Sequence, residues 1–332
     1  MCFAGVFNKH KLAVLTTVLL LGMSAQGWAA GVLEVPDRGL SLKGETKQEY
    51  MRKVMDGYFH PAVKITPKPL AIPEGWQKQE LQLQDLMVER FSRQAKSGKA
   101  IIYFHGGGYV QKAGNPHRIL AMKEAELFGA GEVFMPDYRL APQYTYPAAL
   151  EDAAETYKEV LKLGYAPEKI IFVGDSAGGN LAVVLALYLR DNKLPQPGAV
   201  IAVSPWATME HKKGTSRYGN APKDMVVGDN TPMNPHVIAA KYVGRNSRKL
   251  PLLSPVYADF TDVAPLLIQV GGNEIFLTES VKLAEQAAKS NTEVTLSVYS
   301  GMPHDFALLF PTMQESINSL KEMQSFVKRY LD

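Results

Sequence analysis

Lys169-Ile-Ile-Phe-Val173 runs straight into Gly174-Asp175-Ser176-Ala177-Gly178-Gly179-Asn180, and an Ala/Leu-rich helical pattern follows over 177–190. The five leading residues read as a buried strand. The turn is G-x-S-x-G at a strand-to-helix junction, the setting in which that short motif carries meaning. A serine there is held in a strained backbone, and the segments two residues either side come close together. Gly174 and Gly178 have no Cβ to collide. The strain aims the Ser176 hydroxyl off the sheet, and the helix brings its N-terminal amides and positive dipole end beside it. Ser176 is therefore the candidate nucleophile, and the Ala177 N–H is placed to receive a developing negative charge on oxygen.

Outward from this junction the chain alternates. Apolar, β-branched runs at 100–104, 132–135, 169–173, 199–203, 266–270 and 294–298 are separated by helical patterns at 117–128, 148–163, 177–190, 278–288 and 313–330. Continuous apolar strands between amphipathic helices predict an α/β protein with a mostly parallel central sheet flanked by helices. A looser alternation over 80–91 is expected to supply leading antiparallel strands. Two stretches depart from the rhythm. Residues 30–75 carry a short helical pattern at 46–58 and then Pro61, Pro67, Pro69 and Pro73, while 205–250 are rich in Gly, Pro, Asn and Lys. Such insertions often cover a site on the carboxyl edge of a sheet. Both are expected to form a cap, leaving 76–332 as the main domain.

A second glycine turn follows the strand at 100–104: His105-Gly106-Gly107-Gly108-Tyr109. Bare glycine amides can approach an oxyanion closely, and each such donor lowers the barrier of acyl transfer by about 3–4 kcal/mol. A phosphate loop is the poorer reading, since neither G-x-G-x-x-G nor a following Gly-Lys-Ser/Thr is present. His105, at a strand end inside a glycine turn, is expected to hold the loop's shape.

Together these segments resemble the hormone-sensitive-lipase-like esterases, the bacterial family IV branch of the α/β-hydrolases. The resemblance rests on 105–108, on Asp137-Tyr-Arg-Leu-Ala-Pro142 with Tyr146-Pro-Ala-Ala-Leu-Glu-Asp152, on 174–180, on Ser204-Pro-Trp206, and on Gly301-Met-Pro-His304. It implies an α/β-hydrolase fold with an N-terminal helical cap. It also implies an oxyanion hole at Gly107, Gly108 and Ala177, and short- or medium-chain acyl esters as substrates. Asp137 and Arg139 are read as a pair bracing the oxyanion loop, with Gly106 and Asp175 also in support. Tyr109 and Trp206, beside the motifs, are taken as lining the substrate pocket.

A serine near neutral pH needs a base, and the base an orienting carboxylate. Of seven histidines, His304 is last, in a loop after the strand at 294–298, as the chain order Ser…acid…His requires. His60, His117, His211 and His236 lie in lid-like or helical segments. For the acid, the family has Asp after the strand that here ends in Gly271-Gly-Asn273-Glu274, and this chain has no Asp between Asp262 and Asp305. Glu274 matches the position best; Asp262, Glu279 and an altered dyad remain as alternatives. Asp305 adjoins His304 too closely to serve as the orienting acid.

Composition bounds the rest. The net charge of +3, from 36 basic against 33 acidic residues, excludes a strongly basic nucleic-acid binder, and a single cysteine excludes disulfides and thiolate metal clusters within one chain. No His-Glu-x-x-His is present, so neither metal nor cofactor is expected. Lys9 and Lys11, an apolar run over 12–23 and small residues to Ala30 describe a signal peptide over residues 1–29, too short for a bilayer anchor. Export to the periplasm or beyond follows as an expectation, with Cys2 lost on cleavage. The expected function is a serine carboxylesterase acting on a small-molecule ester. A ligand-binding protein with a decayed site, or an amidase or peptidase on the same scaffold, are the rivals; oligomeric state is open. Ser325-Phe-Val-Lys328 matches the Ser-x-x-Lys of β-lactamase-like esterases but leaves no room for their downstream motif.

Overall fold

In a computed structural model that describes residues 35–61, 69–94 and 98–332, eight strands form one sheet in the order β1-β2-β4-β3-β5-β6-β7-β8. The strands are β1 Trp76–Leu83, β2 Leu86–Arg93, β3 Ala100–Phe104, β4 Glu132–Pro136, β5 Ile170–Asp175, β6 Ala199–Val203, β7 Leu266–Gly271 and β8 Val294–Tyr299. From β4 to β8 all pairings are parallel, while β1 and β2 form an antiparallel hairpin laid antiparallel on β4. The sequence rhythm set this result: β3, β5, β6 and β7 are buried at every position. Residues that alternate along a strand serve opposite faces. Ile102, Phe104, Phe172 and Val200 join one core, and Ile101, Tyr103, Ile171 and Ile201 the other.

Helices α2 Asn115–Phe128 and α9 Gln314–Leu331 pack on the second core. Helices α3 Ala148–Lys162, α4 Ala177–Asp191 and α7 Leu277–Lys289 pack on the first. The helix that follows Ser176, α4, is buried nearly all round, which explains its Ala/Leu composition. Short helices α5 Ser216–Gly219 and α6 Asn234–Ala239 lie in the insertion between β6 and β7, and α8 Phe306–Leu309 follows His304.

The N-terminal segment is docked firmly. Helix α1 Gly44–Phe59 buries Met51 and Met55 in the first core. Its buried Lys47 donates to the Ser300 carbonyl at 2.9 Å and to Glu315 at 2.6 Å. The segment thus crosses the ends of β8 and α9. The predicted signal peptide lies outside the described residues. Among those described, no helix is long and apolar enough to cross a membrane.

Candidate active site

Ser176 sits at φ 55°, ψ −116°, between the last residue of β5 and the first of α4. An L-residue adopts that region only when its surroundings force it. The glycines show how tight the turn is. A Cβ on Gly174 would stand 2.3 Å from the Gly178 carbonyl oxygen, and one on Gly178 only 1.9 Å from that of Phe104. The close approach demanded of this turn is therefore a contact between β5, β3 and α4 backbones.

The turn brings Ser176 Oγ to 2.8 Å from Nε2 of His304, whose Nδ1 lies 2.9 Å from Oε2 of Glu274. Three strand ends supply these groups: β5 the serine, the turn after β7 the glutamate, and the loop after β8 the histidine. Asn273 points elsewhere, its amide donating to the Gly301 carbonyl at 3.3 Å. Asp262 is exposed, and Glu279 is spent on Arg217, 2.8 Å away. Of the four acids considered, the structure brings only Glu274 to His304 Nδ1. Burial pushes Glu274 up to about 7, against the pull of His304. Burial alone would lower His304; Asp305 and then Glu274 more than reverse this and hold it well above its ordinary value.

Sequence reasoning missed how the glutamate is held. Ser204, fully buried, donates to Glu274 Oε1 at 2.9 Å and accepts the Asp305 amide at 3.2 Å. The backbone of the acid turn is gripped from the insertion: Asn220 donates to the carbonyls of Gly272 at 3.2 Å and Glu274 at 3.0 Å. Asp224 accepts the Ile275 amide at 2.9 Å and the amides of Val226 and Val227. No sequence signal marks Asn220 and Asp224, which lie some fifty residues from Glu274 in an irregular stretch.

The glycine loop lies beside the elbow, with Gly107 and Gly108 at φ 109° and 63°. Gly106 packs on Asp175, where a Cβ would fall 2.1 Å from Oδ2. His105 is buried, bonds the Gly106 carbonyl through Nδ1 at 2.7 Å and stacks on Tyr138 at 4.3 Å. Burial, aided by His117, lowers it to about 4, so it is neutral. Asp175 accepts from Tyr103 Oη at 2.8 Å.

Three expectations are corrected. Asp137 and Arg139 do not pair: Asp137 meets Lys112 at 2.6 Å, while Arg139 takes Asp152 and Glu151 of α3. The bidentate carboxylate of Asp152, which also accepts the Arg139 amide, is the better geometric match for a guanidinium. Tyr109 is fully buried; its hydroxyl donates to Asn180 at 2.7 Å and its ring stacks on Tyr242 at 4.0 Å. Trp206 is equally buried, stacked on Phe276, whose ring meets His304 edge-on at 4.9 Å. Both aromatics wedge the site from behind and offer no surface to a ligand. Met233 instead approaches Gly108 from the insertion, 3.4 Å from where a Cβ would stand.

A cavity of about 1560 Å³ lies between α1 and residues 222–232, floored by Asn273 and Gly301. It runs along the outside of the acid turn. Neither Ser176 nor His304 lines it, and the two are only 6% and 1% exposed.

A family model described as alpha/beta hydrolase fold matches residues 101–308. An acetyl-hydrolase of Streptomyces hygroscopicus is 31% identical over 70% of this chain and 76% of its own. An ethyl acetate hydrolase of Pseudomonas putida is 27% identical over 71% and 75%. The crystal structure of an esterase from the bacterial hormone-sensitive lipase family superposes with a TM-score of 0.76 at 29% identity, covering 88% of this chain and all of that one. The fold and the elbow define an α/β-hydrolase. Within that class the chain belongs to the hormone-sensitive-lipase-like family IV, a family of carboxylic ester hydrolases.

Proposed function

We propose that this chain is a serine carboxylesterase that cleaves short- to medium-chain acyl esters through Ser176, His304 and Glu274. The observation that carries the reading is the continuous relay from Ser176 Oγ through both imidazole nitrogens to a buried carboxylate, at 2.8 and 2.9 Å. In the proposed cycle His304 accepts the Ser176 proton as Oγ attacks the ester carbonyl. The amides of Gly107, Gly108 and Ala177 stabilise the oxyanion, and the first turn of α4 leaves the Ala177 N–H without an intrahelical partner. The alcohol departs with the proton from Nε2. Water, deprotonated by His304, then attacks the acyl-enzyme, and Ser176 regains its proton as the acid leaves. Glu274 holds the imidazole with Nδ1 protonated and balances its charge.

The preference for short acyl groups is supported by the acetyl-hydrolase and ethyl acetate hydrolase relatives. The proposed cap comprises α1 and the insertion around 205–250. Export is proposed on residues 1–29, and exported protein should begin near Ala30; an N-terminus retaining Met1 would refute it. The main test is hydrolysis of chromogenic acyl esters from acetate to palmitate by the mature chain and by Ser176→Ala. Activity peaking at short chains and lost in the variant is expected. Activity surviving in Ser176→Ala would overturn the mechanism.

A further inference from the structure

The imidazole of His304 carries a carboxylate on each nitrogen. Glu274 occupies Nδ1, while Oδ2 of Asp305 stands 3.2 Å from Nε2, the same nitrogen that faces Ser176. Asp305 reaches it because its own backbone is left-handed, at φ 49°, and because its amide is tied to Ser204. That bond closes a ring: Ser204 holds Glu274, Glu274 holds His304, and the chain returns through Asp305. The Asp305 carboxylate is buried and borders a cavity of about 10 Å³ that Asp175 and Glu124 also line, beneath the elbow.

A carboxylate against Nε2 is compatible with only some protonation states. An ionised Asp305 favours a proton on Nε2, and an Nε2 lone pair turned toward Asp305 favours a proton on that carboxyl. Both the imidazolium–carboxylate and the neutral–neutral arrangement contain a single proton between Nε2 and Oδ2. Neither leaves Nε2 free for the Ser176 proton. We propose that Asp305 is a second partner of the base, sharing one proton with His304 Nε2 in the resting enzyme, so that Ser176 becomes nucleophilic only when that proton has left to solvent. This rests on the reading of His304 as the base of Ser176.

The surroundings favour retention of the proton. Asp175 faces the pair from β5, Glu124 and His117 from α2, Tyr103 from β3, Asp224 from the insertion and Glu274 from the turn after β7. Arg217 stands behind Phe276 and is itself paired with Glu279. The groups facing the pair are thus mainly acidic. They favour the cation on His304 and disfavour a second ionised carboxylate, and burial acts on Asp305 in the same direction. The sign follows: the reactive fraction of Ser176 grows as pH rises through the raised His304 value, so the acid limb of activity lies on the alkaline side of an ordinary histidine. Asn at position 305 keeps the size and tolerates the left-handed backbone, but removes the negative charge, which moves that limb to lower pH.

The test is the rate of Ser176 labelling by an alkyl fluorophosphonate as a function of pH, in the full chain and in Asp305→Asn. In this reaction the Oγ–P bond forms, the P–F bond breaks, fluoride leaves and the Oγ proton passes to Nε2, so the rate reads the base without an ester substrate. The midpoint of the acid limb should fall by about one pH unit or more in Asp305→Asn. The same midpoint in both proteins would overturn the proposal, while absence of labelling in the unaltered chain would instead overturn the reading of Ser176 and His304. Should Asp305→Asn fail to fold, nitrogen-15 NMR of histidine-labelled unaltered chain decides the point. Expected at pH 7 is a His304 signal displaced from that of a neutral imidazole with an unshared Nε2 lone pair; a neutral Nδ1–H tautomer with that lone pair free would overturn it.

Discussion

The Asp224 carboxylate, in the insertion between β6 and β7, accepts the amide hydrogen of Ile275, the residue after Glu274, at 2.9 Å. Together with Asn220, which holds the Gly272 and Glu274 carbonyls, it makes the insertion a clamp on the acid turn. Glutamate is a methylene longer than aspartate, and its extra freedom has to be removed by the backbone that carries it. Asp224→Ala leaves three buried amides without their acceptor, each costing about 1–3 kcal/mol if water cannot replace it. A displaced acid turn lowers turnover more than binding. Steady-state kinetics on a short acyl ester should show kcat reduced by about 10- to 100-fold, with KM nearly unchanged. A raised KM with kcat intact would mean that the insertion shapes the pocket and does not position the acid.

Glu274→Gln replaces the charge while keeping the shape. Its amide can donate to Nδ1, which stabilises the tautomer with the proton on Nε2 and takes the lone pair away from Ser176. By analogy with other serine hydrolases the loss of kcat is about 10⁴-fold. Asn273→Ala, one residue away, removes only a 3.3 Å bond to Gly301 at the rim of the cavity, and should cost less than about 3-fold. Reversal of this order in parallel kinetic measurements would remove Glu274 from the mechanism.

How much of this was legible in the sequence depends on the range of the interactions. Strands β3, β5, β6 and β7 announce themselves because burial on both faces forces unbroken apolar runs, and the elbow and glycine loop because backbone crowding forces glycine at fixed spacings. Ser176 and His304 stand beside such local signatures. Glu274 is placed only by its match to the family's acid position, since a carboxylate in a turn has no distinctive neighbours. Asn220 and Asp224 carry no sequence signal, for each acts through a contact some fifty residues away, and although Ser204 lies in a segment the family shares, nothing local ties it to Glu274, 70 residues on. Tyr109 and Trp206 show the opposite error: closeness to a motif along the chain says nothing of which side of the backbone a ring takes. Both turn inward, Tyr109 toward Asn180 and Trp206 toward Phe276.

The elbow makes a steric prediction. Alanine at Gly178 places a methyl 1.9 Å from the Phe104 oxygen and 2.6 Å from that of His105, so β3 and the start of the glycine loop must both move. Backbone cannot yield as a flexible side chain does. Gly178→Ala should lose more than about 4 kcal/mol of stability, or accumulate as insoluble protein. Gly219→Ala is the control: nothing lies within 4 Å of its added Cβ, and its unfolding midpoint should match the unaltered chain. Equal midpoints for both variants in urea melts would show that the elbow is looser than its contacts imply.

The Arg217–Glu279 pair yields a prediction with a definite pH sign. Both side chains are buried, the guanidinium bonds both carboxylate oxygens, and it packs 4.7 Å over the ring of Phe276, which in turn meets His304. Burial pushes Glu279 up, to about 7, against the pull of Arg217. Arg217→Met removes that pull and leaves a buried carboxylate unpaired, a loss of about 3–5 kcal/mol. A carboxyl whose folded value is raised binds its proton more tightly in the folded chain than in the unfolded one. Stability is then greatest below the unfolded value and is lost as pH climbs through the folded one. Urea unfolding of Arg217→Met should therefore show the deficit growing from pH 5 to pH 8, a slope weaker or absent in the unaltered chain. The double variant Arg217→Met/Glu279→Gln no longer carries the charge and should flatten that slope and recover part of the loss. A deficit independent of pH, equal in the single and double variants, would place the cost in lost packing against Phe276 and not in the buried charge.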